Sequence, residues 1–180
     1  MFSDITQRST GPPRWPLGVA LVLVLALVLG VLITASMVRN QALEPLGLAV
    51  VPAPAAGSAD CARLLTALPT ALDGGDLGTL PRRKLRPPVP QGAAGWGEPP
   101  VVLRCGLDRP ANLTATSRLL AVSRVEFLSI PNGGTDTWVA VDRSVYVAVA
   151  LPPRSGSGPL QQIATVISHT LPAQEVSIPR

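Results

Sequence analysis

Two cysteines, one histidine and a run of four cations carry most of the reactive chemistry that this chain of 180 residues offers. The cysteines are Cys61 and Cys105, the histidine is His169, and the cations are Arg82, Arg83, Lys84 and Arg86. Two distant cysteines and a single histidine do not make a metal site, so no metal ligands are expected. Neither a Gly-x-Ser-x-Gly elbow, a phosphate-binding loop, a dinucleotide fingerprint nor a His-Glu-x-x-His helix is present, and no cofactor is expected. A Ser-His-Asp triad would have to recruit His169, and no serine stands in a supporting motif. Any two of the carboxylates beyond Asn40 would in principle serve glycoside cleavage. The aromatic platforms such a cleft uses are few in that part of the chain: Trp96, Phe127, Trp138 and Tyr146. The chain reads as carrying no catalytic constellation.

The cysteines and the cations point instead to structure and contact. An even pair of cysteines in an oxidising compartment is most simply one disulfide, Cys61 to Cys105, and two buried thiols are the alternative. Arg82, Arg83, Lys84 and Arg86 lie among Pro81, Pro87, Pro88 and Pro90, and Trp96 comes ten residues after Arg86. These five residues are the candidate interaction surface, for anionic lipid headgroups or wall polymers. A solvated, proline-stiffened loop is the plainer reading of the same segment.

The compartment is set by one stretch. Leu17 to Val38 holds no charge, and its helix would be about 33 Å long, enough for a bilayer core of about 30 Å. Arg8 and Arg14 precede it and only Arg39 comes closely after it, a bias that places the N-terminus in the cytoplasm. A cleaved signal peptide is the rival reading, but the apolar core is long for one and the small-residue cleavage frame is poor. Both readings export the chain beyond Arg39. The exported part carries 12 basic and 10 acidic residues, 12 − 10 = +2, too balanced for a nucleic-acid partner. Residues 1–14 are expected as a cytoplasmic tail, 15–39 as the span, 40–59 as a linker, 60–172 as one exported domain and 173–180 as a C-terminal tail.

The elements of that domain are read from periodicity and punctuation. Asp60 is expected to cap a helix running to Leu68, with Cys61, Leu64, Leu65 and Leu68 on one face. Leu46 to Val51 is a candidate short strand, and Thr70 to Leu72 a further helical turn. Gly74-Gly75-Asp76 opens a region expected to be irregular. Val101 to Cys105 reads as a strand, Asp108 to Ser117 as a turn-rich connection, and Leu119 to Ile130 as a strand closed by Asn132-Gly133 in a hairpin. Asn112-Leu113-Thr114 matches the short N-glycosylation pattern. Val139, Val141, Val145, Val147, Val149 and Leu151 fall on one face at period two, and Arg143 falls on it with them. Either Asp142-Arg143 is a turn between two short strands, or Arg143 is a buried cation in need of a carboxylate. Pro159 to Leu171 predicts a helix with Leu160, Ile163, Ile167 and Leu171 inward and His169 outward. The fold class is α+β: after the transmembrane helix, an antiparallel sheet of three to five strands with two packed helices.

Several of these residues resemble an actinobacterial membrane-protein family of unknown function, the domain of unknown function thirty-five fifteen. The resemblance rests on Cys61-Ala-Arg-Leu-Leu with Ala67-Leu68-Pro69, on Gly95-Trp96-Gly97-x-Pro99, and on Val102-Leu103-Arg104-Cys105-Gly106. Asp142-Arg143-Ser-Val-Tyr-Val147 and a closing Leu171-Pro172 extend it, so that it covers roughly residues 60–172. Such proteins often place a tryptophan in the middle strand, where this chain has Phe127. The resemblance implies an envelope location and a paired Cys61 and Cys105; it implies no activity, ligand or catalytic residue. The expected function is that of a single-pass anchored module of the cell envelope, a scaffold or binder for a protein or wall component. The alternative is an exported hydrolase of wall precursors or glycans, and a partner subunit for a transporter is a minor third.

Overall fold

The computed structural model describes residues 22–32 and 43–177, apart from the side chain of Asn132. The chain divides into two units, residues 1–42 and 43–180. In the first, all described residues are helical (α1, 22–32), and Val22, Leu23, Leu27, Leu29 and Leu32 are each at least 60 % exposed. Among the described residues no helix is long and apolar enough to cross a membrane. Both ends of the expected span, and Arg8, Arg14 and Arg39, lie outside the described residues.

The second unit is α+β. Its elements, in order, are α2 (Ala59–Ala67), β1 (Ala71–Asp73), a 3₁₀ turn (Gly75–Leu77), β2 (Thr79–Pro81), β3 (Ala93–Trp96), β4 (Val101–Leu107), β5 (Leu119–Val122), β6 (Val125–Asn132), β7 (Thr135–Ala140), β8 (Tyr146–Leu151) and α3 (Gly158–Thr170). β1 and β2 form a small antiparallel ribbon, and the other six strands form one antiparallel sheet in the order β3-β4-β8-β7-β6-β5. The sheet therefore exceeds the three to five strands expected. Two of the differences are local. The stretch after Leu68 is the ribbon β1–β2 rather than a further helical turn and an irregular region. Leu119 to Ile130 is two strands folded at Ser123-Arg124, with Val122 paired to Val125.

A third difference concerns the valine stripe. Ala140 pairs with Val147 and Val139 with Ala148, so positions that share a face have opposite parity on the two strands. The stripe cannot stay on one face through the turn. Val147, Val149 and Leu151 face the main core with Cys105, Leu103, Phe127 and Ala140. Val139 and Val141 face the other side, where Leu113, Leu128 and Ala148 form a second cluster. The connection 108–118 and the C-terminal segment cover that side: Arg109 donates to Leu113 O (2.6 Å) and Ser177 O (3.1 Å).

The helices cover the main core. α3 carries Leu160, Ile163, Ile167 and the adjoining Leu171 inward, all nearly inaccessible, and leaves His169 exposed as its spacing requires. α2 packs against α3 with Cys61 and Leu64 fully buried. Its N-cap is Ser58, not Asp60: the Ser58 hydroxyl accepts from Cys61 N–H at 3.2 Å. Asp60 stands inside the first turn, where a carboxylate favours the positive end of the helix. Cys61 and Cys105 are joined, their Cα atoms 5.7 Å apart, which fastens α2 to β4 as expected. In the chain-entropy model a link across 44 residues stabilises by about 4 kcal/mol.

The flanking segments also take part. Residues 43–59 form no strand at Leu46 to Val51, only a bridge from Leu46 to Leu85, but Ala55 N–H donates to Gly106 O (3.0 Å) and Ala56 is buried. After α3, Ala173 bridges to Arg143, and Gln174 N–H donates to Asp142 O at 2.8 Å.

Candidate functional site

The cationic segment runs along the outer edge of β3. Arg82 bridges to Trp96, Arg83 N–H donates to Gly95 O (2.8 Å), and Gly97 N–H donates to Pro81 O (2.9 Å). The edge that β3 would otherwise leave open is closed, and the residues named from sequence divide accordingly. Trp96 is not on a surface: it is fully buried, and its indole N–H donates to Pro69 O at 2.9 Å. Its place in β3 puts it on the core face opposite Val101, and an aromatic of that area gains most by full burial once its N–H is satisfied. Arg82 spans the indole with its guanidinium 5.8 Å from the ring centre and donates to Leu65 O.

Arg83 is spent inside the fold. Only 6 % of its side chain is exposed, and it donates to Gly97 O, the Glu98 carboxylate and Glu44 O. Three acceptors from two separate segments converge on one planar fork, the geometry for which arginine is suited and lysine is not. Gly95 leaves room for Leu46, since a Cβ there would lie 2.5 Å from Leu46 Cδ2. Lys84 and Arg86 remain exposed, with Arg86 4.0 Å from the Glu44 carboxylate. Of the five residues, Arg82, Lys84 and Arg86 are exposed, and Arg82 is held over the indole while Lys84 and Arg86 are not; proline spacing alone could not separate these from Arg83.

A second polar cluster lies where β7 turns toward β8. Both readings of Arg143 hold at once: it sits between the two strands, and it is a buried cation. Its side chain is 2 % exposed and pairs with Asp142 Oδ2 at 2.6 Å, while its other amine donates to Arg124 O at 2.6 Å. Asp142 Oδ1 and Arg143 Nε are buried without hydrogen-bond partners. The next residue, Ser144, donates to Asp60 Oδ2, and Asp60 also receives Arg63. The Ser144 hydroxyl first, and Arg63 second, hold the Asp60 carboxyl below its ordinary range. Burial lowers the Arg104 guanidinium, whose amine donates to Ala49 O at 2.7 Å. Among the described residues no three histidine, cysteine or carboxylate side chains gather as a metal site.

One open pocket of about 220 Å³ lies between the β6–β7 turn and the approach to α3, with Asp136 and Arg154 as its only charges. It is smaller than the roughly 300 Å³ at which small-molecule sites usually begin.

The opposite end of the sheet differs from the β3 end. β5 is the last strand, and among the described residues no bridge or strand lies beyond it. Its four residues, Leu119-Leu120-Ala121-Val122, contain neither charge nor proline, and Leu120 is 50 % exposed. Arg118 and Arg124 stand at its two ends, both exposed. Because Val122 and Val125 flank a two-residue turn, they exchange hydrogen bonds, and alternation gives Leu120 and Phe127 the next bonded pair. The N–H and C=O groups of Leu119 and Ala121 therefore point outward. The turn itself is firmly held: Ser123 and Arg124 both have positive φ (47° and 64°), Thr165 Oγ1 reaches Ser123 Oγ at 3.1 Å, and Arg143 donates to Arg124 O. Sequence reasoning did not find this edge, because Ser-Arg carries no glycine or asparagine signal and the contacts that fix it come from distant segments.

Among curated proteins and among solved structures, nothing matches the chain. The family described as "Protein of unknown function (DUF3515)" matches residues 21–176, which includes the disulfide, the closed edge and the open one, and the chain belongs to that family.

Proposed function

We propose that the chain is a single-pass, membrane-anchored protein whose folded domain lies outside the cytoplasm and serves the envelope as an interaction or scaffold module. The observation that carries the reading is β5. A short, uncharged strand with an outward row of N–H and C=O groups accepts an extended segment of a partner by strand addition. Arg118 and Arg124 at its ends favour a partner strand with acidic flanks. The buried Cys61–Cys105 link supports an oxidising compartment, and the exposed leucines and valines of α1 support a lipid environment for that helix. The rival, a hydrolase of wall precursors or glycans, needs two facing carboxylates in a cleft. Asp60 is instead turned to Ser144 and Arg63, and Asp142 to Arg143.

The test uses the full chain in its native envelope. A photo-crosslinking residue in place of Leu120 is expected to give a discrete adduct that Ala121→Pro abolishes, since proline on an outward edge position removes only the outward donor. An adduct unaffected by Ala121→Pro, or none at all, overturns strand addition. A phosphatase fused after Arg180 is expected to be active; an inactive fusion places the domain in the cytoplasm and overturns the location.

A further inference from the structure

Among its described residues the second unit exposes five large apolar side chains, and four of them, Leu43, Val50, Val51 and Val89, belong to two neighbouring segments. The segments are joined backbone to backbone: Leu46 N–H donates to Lys84 O (2.8 Å), and Arg86 N–H donates to Leu46 O (2.9 Å). Val50 and Val89 are 74 % and 55 % exposed, more than any other large apolar residue described in this unit. The same two segments carry the exposed Lys84 and Arg86, set against the single carboxylate of Glu44. Isolated exposed valines need no explanation, but exposed apolar side chains and cations carried together by two paired segments match the boundary between lipid headgroups and acyl chains.

We infer that this surface, residues 43–51 with 84–90, rests on the lipid bilayer, with Lys84 and Arg86 meeting anionic headgroups and Val50, Val51 and Val89 entering the layer beneath them. The inference rests on the anchored reading proposed for the chain. Its occupant is fixed by chain length. Leu43 comes five residues after Val38, the end of the apolar run, and five residues reach at most about 18 Å when fully extended. Leu46, three residues further on, is already fixed to the cationic segment. Whatever lies immediately outside the end of the apolar run is therefore what this surface meets first, and for an anchored chain that is the bilayer. Charge agrees, because Lys84 and Arg86 outnumber Glu44. β5 lies at the opposite end of the sheet, five strand spacings or about 24 Å from β3, which makes Leu120 the reference position for the test.

The experiment is depth measurement by spin label on the full chain in vesicles of phosphatidylglycerol and phosphatidylcholine. With Cys61 and Cys105 joined, Val50→Cys, Val89→Cys and the reference Leu120→Cys each supply one free thiol. Labels at 50 and 89 are expected to be at least about threefold less accessible to a water-soluble nickel chelate than the label at 120. The double charge reversal Lys84→Glu with Arg86→Glu is expected to remove most of that difference. Equal accessibility at all three positions, in chains that stay in the vesicles through an alkaline carbonate wash, overturns the resting surface and leaves the anchor standing. Chains removed by that wash overturn both. Protection that requires native envelope and is absent from pure lipid assigns the surface to a protein and overturns the bilayer as its occupant.

Discussion

The two ends of the six-stranded sheet handle the same physical problem in opposite ways. Beyond β3, the outward backbone groups are satisfied by residues 81–83, and Arg83 binds that segment to Glu44, Gly97 and Glu98. Beyond β5 nothing among the described residues covers the strand, although its turn is fixed by contacts to α3 and Arg143. A free, uncharged edge invites pairing with any exposed strand, so proteins usually blunt it with charge, proline or cover. Here the charge and proline are concentrated at the end that is already covered, and the open end is short and rigid. The contrast teaches that the cationic, proline-rich segment closes one edge of the sheet, while the edge left open is a stretch with no conspicuous residue in it.

That contrast can be broken most severely at Trp96. Trp96→Ala empties the fully buried site behind the closed edge and should cost about 3–5 kcal/mol in denaturant unfolding; a loss under about 1 kcal/mol would mean the closed edge does not depend on its core side chain. Arg143→Ala leaves Asp142 buried without its partner and Arg124 O without its donor, at about 3 kcal/mol. Hydrogen exchange should then show the β5–β6 turn opening before the β3 end; simultaneous opening of both would erase the distinction. Arg124→Gly relieves a positive φ and should instead stabilise by about 1 kcal/mol, while weakening any acidic partner at β5. The smallest effect concerns Asp60, which joins α2 to the β7–β8 connection through Ser144. The Ser144 hydroxyl and Arg63 hold its carboxyl below the ordinary carboxylate value, so its contribution is fully present above the unfolded value and is lost as pH falls through the lower folded one. Asp60→Asn should remove that small contribution at neutral pH and flatten the stability profile in the acid window. A profile that keeps its acid slope in the variant would assign the slope to another carboxylate.

Periodicity and punctuation alone determined α3, with its inward Leu160, Ile163 and Ile167, and the existence of the hairpin expected at Asn132-Gly133; the turn itself falls one residue on, at Gly133-Gly134, because Asn132 pairs with Thr135 and the two glycines both take the positive φ that such a turn requires. They also determined the cysteine pair, because two thiols beyond an apolar run have few other uses. Each of these is a local pattern or a matter of counting. Tertiary structure alone decided the rest. The valine stripe changed faces because the register of Ala140 with Val147 is set by strand pairing, not by spacing along one strand. Ser123-Arg124 became a turn because Thr165 and Arg143, far away in sequence, hold two residues in a conformation their own side chains disfavour. Trp96 and Arg83 went inward, and Lys84 and Arg86 outward, because the segment that carries the cations lies against an edge strand whose backbone groups needed partners. A sequence shows which groups must be satisfied; only the packed chain decides which neighbour satisfies them, and so which residues are left for another molecule.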